Sequence, residues 1–191
     1  MSSLEWLASL LGLVCVALAV RRSLWTYAFG VASTALLAIV VFEARLYSQA
    51  LLQLFFVAIN GYGFLNWRRA RQAGGEVPVA RMGTRELALW SGGIIVATLG
   101  WGLAMARLTD AAQPMLDAAI AAVSVAAQLL MARRRLENWL LWIAVDIASI
   151  PLFLKQGLPV VAGLYAVYLA LAVWGLIDWH RAWRRAGPVP A

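Results

Sequence analysis

The sequence predicts an all-α membrane protein with seven transmembrane helices, and three observations carry that prediction. First, 63% of the 191 residues are hydrophobic and 13% are charged, with a mean hydropathy of +0.79. A soluble domain carries about 25% charged residues. Second, the apolar residues fall in runs of about 20, the length that crosses a hydrocarbon core. Third, the basic residues cluster between those runs, as membrane loops do. The net charge of +7 is therefore a mark of topology, and nucleic acid is not an expected partner. One cysteine, Cys15, and one histidine, His180, exclude an internal disulfide and a multi-ligand metal site. Neither cofactor nor metal is expected.

The first span covers residues 4–20. Met1-Ser-Ser-Leu-Glu5 before it lacks a positive start, so this run reads as a retained span and not a cleaved signal. The second span, 24–42, follows Arg21-Arg22, and the third covers 46–67. Arg68 to Arg85 holds Gly74-Gly75, Pro78 and five arginines, and reads as an exposed loop. The fourth span, 86–106, carries Gly93, Ala97, Gly100 and Ala104 at helical spacing, a stripe suited to close packing. Spans five, six and seven cover 112–132, 138–154 and 158–179. The tail, 181–191, reads as disordered.

Lysine and arginine set the orientation. The odd-numbered loops and the C-terminus hold thirteen of the sixteen basic residues, while the even loops hold only Arg45, Arg107 and Lys155. Positive loops stay cytoplasmic. The N-terminus is thus expected outside and the C-terminus inside.

The chain also matches itself at a shift of 112. Arg21-Arg22 falls on Arg133-Arg134, Leu46 on Leu158, Gly63 on Gly175, Trp67 on Trp179 and Arg69 on Arg181. Two extra residues allowed in the first half would also bring Trp25 onto Trp139. Three spans reverse the chain and a fourth reverses it again, so two such triplets run parallel. The expected organisation is a first three-helix repeat (1–67), a loop and linker helix (68–111) and a second repeat (112–180). Binding sites in such proteins lie at the repeat interface near the midplane.

Polar residues mark the faces that meet there. In span six, Trp139, Trp142 and Asp146 are spaced i, i+3, i+7 and share one face, extended by Ile150 and Phe153. In span three, Gln53, Phe56 and Asn60 repeat that spacing, and Trp67 ends the face. Asp117, Ser124 and Gln128 align in span five, and span seven adds Tyr165 and Tyr168. An unsatisfied polar group in hydrocarbon costs several kcal/mol, so these faces turn inward. Plainer roles exist. Tryptophans form interfacial belts, which would suit Trp67, Trp90, Trp179 and Trp183 above all, and Trp139 or Trp142 less well. Gln53, Asn60 and Gln128 could bond helix to helix. Asp117 lies near the outer end, where water can reach it.

Asp146 resists a plain role. It lies eight residues past Asn138, about 12 Å along a helix and so near the bilayer centre. A charge there costs at least ~2.5–3.5 kcal/mol, and no lysine or arginine lies mid-membrane to offset it. It is protonated, hydrogen-bonded to polar neighbours, or turned towards a wet cavity used by a cation.

Several segments together resemble the nicotinamide riboside transporters of the PnuC type. In the first half these are Ala19-Val-Arg-Arg-Ser-Leu-Trp25, Leu46-Tyr47 with Ala50-Leu-Leu-Gln53-Leu-Phe55, and Gly61-Tyr-Gly63 with Trp67-Arg-Arg69. In the second half they are Glu137-Asn138-Trp139-x-x-Trp142 with Asp146, Pro151-Leu152, Lys155-x-Gly157-Leu158, and Tyr165 through Trp179. Only the fourth span and its flanking loops are too generic to match. The resemblance implies two parallel triplets, a plan similar to the SWEET sugar transporters. It further implies facilitated diffusion of a vitamin-like solute that a cytoplasmic kinase then traps. The implied solutes are nicotinamide riboside, thiamine or riboflavin. The first two are flat fixed cations, which a carboxylate flanked by tryptophans suits.

Other classes fit less well. A retinal protein needs a mid-membrane lysine; a paired-aspartate protease needs two aspartates at one depth; ATP-driven transport needs a phosphate-cradling loop. A non-transporting membrane scaffold would have no use for Asp146. The lipid bilayer is the one certain partner, and a homo-oligomer is compatible with everything above. The orientation gives a first test: a reporter fused after Ala191 should be active only in the cytoplasm, and periplasmic activity would reverse the topology.

Overall fold

The computed structural model describes residues 3–43, 47–108, 113–155, 157 and 159–186. Among these residues the chain forms seven helices: α1 (Ser3–Val20), α2 (Trp25–Glu43), α3 (Tyr47–Gly74), α4 (Thr84–Leu108), α5 (Pro114–Ala132), α6 (Asn138–Lys155) and α7 (Pro159–Ala186). By length and composition α4, α5, α6 and α7 can each cross a membrane, and α1 and α2 contain shorter apolar stretches, Trp6–Val20 and Trp25–Ile39. Arg45, the Leu46–Leu158 match and residues 187–191 lie outside the described residues.

Six helices close a ring. α1 packs on α2, α2 on α3, α5 on α6 and α6 on α7, while α1–α7 and α3–α5 contacts join the two halves. α4 stands outside this ring and touches α5. Its small-residue stripe is not a packing surface within the chain. Gly93, Ala97 and Gly100 are exposed, and nothing lies within 4 Å of a Cβ placed at Gly93 or Gly100. The close approach occurs at Gly102 instead, against Met115 of α5.

Two other expectations change. α3 and α7 run on as helix past their apolar stretches, so Arg68, Arg69 and Arg71 are helical, as are residues 181–186. Ala, Arg and Gln are good helix formers, and α3 stops only at Gly74-Gly75, where Gly75 takes φ +77°. The segment after it is not a free loop. Val77 and Val79 are buried, and Ala80 pairs with the α5–α6 corner. The Ala80 N–H donates to the Arg134 carbonyl at 3.0 Å, and the Leu136 N–H donates to the Ala80 carbonyl at 2.9 Å. Glu137 accepts the Met82 N–H at 3.2 Å and pairs with Arg81 at 3.5 Å. Arg135 pairs with Glu86 at 2.9 Å. Two valines in a charged stretch are too few to signal burial by periodicity.

Val77 and Val79 cover an aromatic core at the arginine-rich end of the bundle. It contains Ala19, Val20, Tyr27, Trp67, Met131, Leu136, Trp139, Ala172 and Trp179. Trp67, Trp139 and Trp179 are fully buried, so Trp67 and Trp179 are not interfacial belt residues. Two of these three find a partner for the indole N–H that burial removes from water. Trp67 donates to the Met131 carbonyl at 3.1 Å, and Trp179 to the Ala19 and Val20 carbonyls at 3.1 and 3.2 Å.

Those acceptors sit where α5 and α1 end. Both helices end in a Schellman motif. Arg22 (φ +53°) donates to the Ala19 carbonyl and Ser23 to that of Leu18; Arg134 (φ +62°) donates to Met131 and Arg135 to Leu130. Apart from the second bond of Trp179, to Val20, these features recur 112 residues on. Tyr27 meets Trp67 edge-on at 5.1 Å, and Trp139 meets Trp179 edge-on at 5.6 Å. Tyr27 therefore takes the place that Trp139 takes in the second half. The alternative match of Trp25 fails, because Trp25 is 68% exposed and the shift needs no two-residue allowance.

Glycine admits these rings. A Cβ at Gly63 would run into the Tyr27 ring, and one at Gly175 would lie 2.6 Å from the Trp139 ring. Gly175→Ala should therefore destabilise the purified protein by about 1–3 kcal/mol through overpacking. Gly163→Ala, on the same helix but with open space around it, should be neutral or slightly stabilising. Thermal unfolding of both variants in detergent checks this; equal midpoints would remove the packing argument.

Candidate functional site

A cavity of about 310 Å³ lies inside the ring, above the aromatic core. Ala19, Tyr27, Met131, Trp139 and Ala172 belong to both, so the core forms the cavity's floor at the arginine-rich end. Ten of the residues singled out by helical spacing line this space. They are Gln53, Phe56 and Asn60 from α3, Ser124 and Gln128 from α5, Trp139, Trp142 and Asp146 from α6, and Tyr165 and Tyr168 from α7. Asp117 is exposed and apart from it. Phe153 lies behind the wall, with its ring 5.1 Å from that of Tyr165, which in turn meets Tyr168 at 5.9 Å.

The motif Glu137-Asn138-Trp139-x-x-Trp142 divides its work. Glu137 holds the Met82 backbone. The Asn138 side chain donates to the Arg135 carbonyl at 2.7 Å, closing the turn into α6. Trp139 and Trp142 then present their rings to the cavity, one helical turn apart.

Hydrogen bonding within the wall is incomplete. Gln128 Nε2 donates to Asn60 Oδ1 at 2.8 Å across the α5–α3 contact. This bond leaves the amide nitrogen of Asn60 and the amide oxygen of Gln128 available, one donor beside one acceptor. Ser33, Thr34, Thr26 and Ser124 donate their hydroxyls to the carbonyls of Ala8, Gly30, Cys15 and Ile120 at 2.7–2.8 Å. They can offer only lone pairs inward. The Tyr27 hydroxyl and the indole N–H groups of Trp139 and Trp142 are buried without a partner. A buried donor left unmade costs about 1–3 kcal/mol, so the cavity is shaped for a guest that accepts hydrogen bonds.

Its electrostatics are one-sided. Asp146 is 3% exposed, and the lining contains no lysine or arginine. Among the described residues no ion pair reaches it. No group of three or more potential metal ligands occurs among those residues.

The lining also contains Gly12, Cys15, Thr26, Tyr27, Gly30, Ser33 and Thr34 of α1 and α2, which helical spacing alone did not single out. The repeat shift finds most of them. Subtracting 112 carries Trp139 to Tyr27, Trp142 to Gly30, Asp146 to Thr34, Ser124 to Gly12, Tyr165 to Gln53 and Tyr168 to Phe56. The shift matches positions but not chemistry: Trp142 has a glycine counterpart, and Asp146 a threonine.

Comparison with known proteins decides the family. Residues 2–181 match the family model described as nicotinamide mononucleotide transporter. The chain belongs to that family. It is a membrane transporter and not an enzyme. It is 27% identical to the nicotinamide riboside transporter PnuC of Escherichia coli (strain K12), over 98% of this chain and 89% of the relative. It is 31% identical to PnuC of Neisseria mucosa, over 95% of this chain and 74% of the relative. Identity to the riboflavin/roseoflavin transporter RibM of Streptomyces davaonensis is also 31%, over 95% and 86%. A crystal structure of the vitamin B3 transporter PnuC superposes with a TM-score of 0.78 at 31% identity, over 96% of this chain and 83% of that one.

Stacking in the cavity is measurable. Trp142→Ala should weaken solute binding by about 1–3 kcal/mol, the scale of stacking on a heteroaromatic base, and Trp142→Phe should keep part of it. Titration of folded protein checks this; unchanged affinity in Trp142→Ala would reassign the ring to packing.

Proposed function

We propose that this chain carries nicotinamide riboside across the bacterial cytoplasmic membrane by facilitated diffusion, its cavity opening alternately to each side. The observation that carries the reading is Asp146, a buried carboxylate beside two tryptophans in a cavity lined by no basic residue. A fixed pyridinium cation supplies the missing charge and a flat face for Trp142. The Asn60–Gln128 pair offers one donor and one acceptor, the complement of a carboxamide. Ribose hydroxyls can accept from the unpartnered indole and phenol donors. The same lining disfavours the mononucleotide, whose phosphate would meet Asp146 with no cation to hold it. Concentration inside the cell then comes from a cytoplasmic kinase that adds the phosphate after entry.

The transport plan is two parallel three-helix repeats, α1–α3 and α5–α7, with α4 as linker. The 112-residue recurrence of the tryptophan bonds and the matched α1–α7 and α3–α5 contacts support it. Charge asymmetry supports an arginine-rich end in the cytoplasm, so the aromatic floor closes the cavity on that side. RibM, at 31% identity, makes riboflavin the second ligand to compare, and thiamine the third. Riboflavin has no fixed positive charge for Asp146 to meet.

Liposomes test both solute and site. Wild-type protein should equilibrate labelled nicotinamide riboside without concentrating it under a proton or sodium gradient. Asp146→Asn should weaken binding of nicotinamide riboside about tenfold or more, since one uncompensated charge contact is worth at least ~1.4 kcal/mol. A neutral isostere of the same shape should bind nearly as before. An unchanged gap between cation and isostere in folded Asp146→Asn protein would end the counter-ion role.

A further inference from the structure

A second concavity, of about 550 Å³, opens at the arginine-rich end and shares no lining residue with the transport cavity. Its floor is apolar: Leu136 in the turn before α6, Leu140 in the first turn of α6, and Leu176 and Ile177 on α7. Leu140 and Ile177 are 51% and 45% exposed, on helices that can each cross a membrane. Its rim is basic, formed by Arg81, His180, Arg181 and Arg184 around one carboxylate, Glu137.

That carboxylate is already committed. Both Glu137 oxygens accept the Met82 N–H at 3.2 Å, and one lies 3.5 Å from Arg81. Arg81 is also held over the Trp183 ring at 5.1 Å, with His180 stacked against the same ring at 5.7 Å. Arg181 and Arg184 are exposed and make no ion pair among the described residues. Ile177, Arg181 and Arg184 follow at i, i+4, i+7 and share one face of α7. The groove thus has an apolar strip at membrane depth, ending in two uncommitted guanidinium groups beside an anchored third.

We propose that this groove is a binding site for an anionic phospholipid, with its phosphate on Arg181 and Arg184 and an acyl chain along Leu140 and Ile177. Guanidinium groups match phosphate oxygens in a two-pronged geometry. Basic pockets between spans on the cytoplasmic side attract such headgroups. A free phosphate ion would use the rim and leave the floor empty, whereas a lipid fills both. The occupant holds α6 and α7 together where the Glu137–Met82 strap also anchors, away from the transported solute.

Native mass spectrometry of the purified full chain tests this with phosphatidylglycerol and phosphatidylcholine titrated in parallel. The wild type should retain phosphatidylglycerol preferentially. Each of Arg181→Gln and Arg184→Gln should lower that preference about fivefold, and Arg68→Gln with Arg69→Gln, exposed on α3, should leave it unchanged. Ile177→Trp, which fills the floor and keeps every charge, should also lower lipid retention. An unchanged preference in Arg181→Gln with Arg184→Gln, or an equal loss in the α3 variants, would overturn the site. Displacement of the lipid by inorganic phosphate, with Ile177→Trp without effect, would overturn the lipid assignment in favour of a soluble anion.

Discussion

Two indole N–H groups bonded to two helix ends are the constraint on which the bundle depends. The last turn of any helix leaves carbonyls without internal partners. Inside an apolar bundle water is not there to take them. Trp67 reaches the end of α5, and Trp179 reaches the end of α1. Each bond adds a second donor to a carbonyl that the Schellman turn already engages and, in the same act, fixes one half of the protein against the other. The Schellman turns at Arg22 and Arg134 bring those carbonyls to the surface of the aromatic core. Gly63 and Gly175 give Tyr27 and Trp139 room to enter beneath the indoles. From that arrangement follow the position of α3 beside α5, of α7 beside α1, and the cavity enclosed between them.

The cavity lining recurs at the 112-residue shift and departs from it in individual side chains. Trp142 and Asp146 have Gly30 and Thr34 as counterparts, so ring and charge lie on one wall, and the opposite position admits no side chain because a Cβ at Gly30 would press on Asn60 and Cys15 at 3.2 Å. The flat cation proposed as solute suits such asymmetry. Two tryptophans and two carboxylates would overfill the volume and leave an uncompensated charge even with the guest bound.

Much of the fold was legible in the residues because the bilayer restricts the choices. Apolar runs and arginine clusters marked every helix, and the ten predicted cavity residues fell on faces that converge. The misses have physical causes. Helical pattern is invisible once a helix leaves the membrane, so α3 and α7 read short by their arginine-rich turns. Val77 and Val79 bury themselves under tryptophans that lie far away in sequence, which local composition cannot report. Trp67 and Trp179 looked interfacial because depth alone does not distinguish a ring facing lipid from one facing a helix end. The α1 and α2 lining was missed because hydroxyls, glycines and one thiol do not form a polar stripe. The repeat shift carried that information, although the match of Trp25 to Trp139 misread it by two positions.

On the proposed alternating access, the aromatic floor is also the cytoplasmic gate, and its energetics suit that task. Opening it parts α1 from α7 and α3 from α5, which breaks the Trp67 and Trp179 bonds and, between α3 and α5, the Gln128–Asn60 and Asn66–Ala132 bonds. A net hydrogen bond contributes about 0.5–1.5 kcal/mol, so the four together cost roughly 2–6 kcal/mol, less whatever water regains. A conformational equilibrium responds only to a ligand's differential affinity for its two states. The unpartnered donors of Tyr27, Trp139 and Trp142 supply such a difference, because their cost of about 1–3 kcal/mol each falls on a closed, empty cavity and is relieved by a guest or by water. Tyr27 and Trp139 belong to the wall and to the floor at once. A solute that bonds them therefore acts directly on the rings against which Trp67 and Trp179 are packed, with no long-range pathway required. On this proposal gate and binding wall are the same side chains, and that is what would let a small solute bias the bundle.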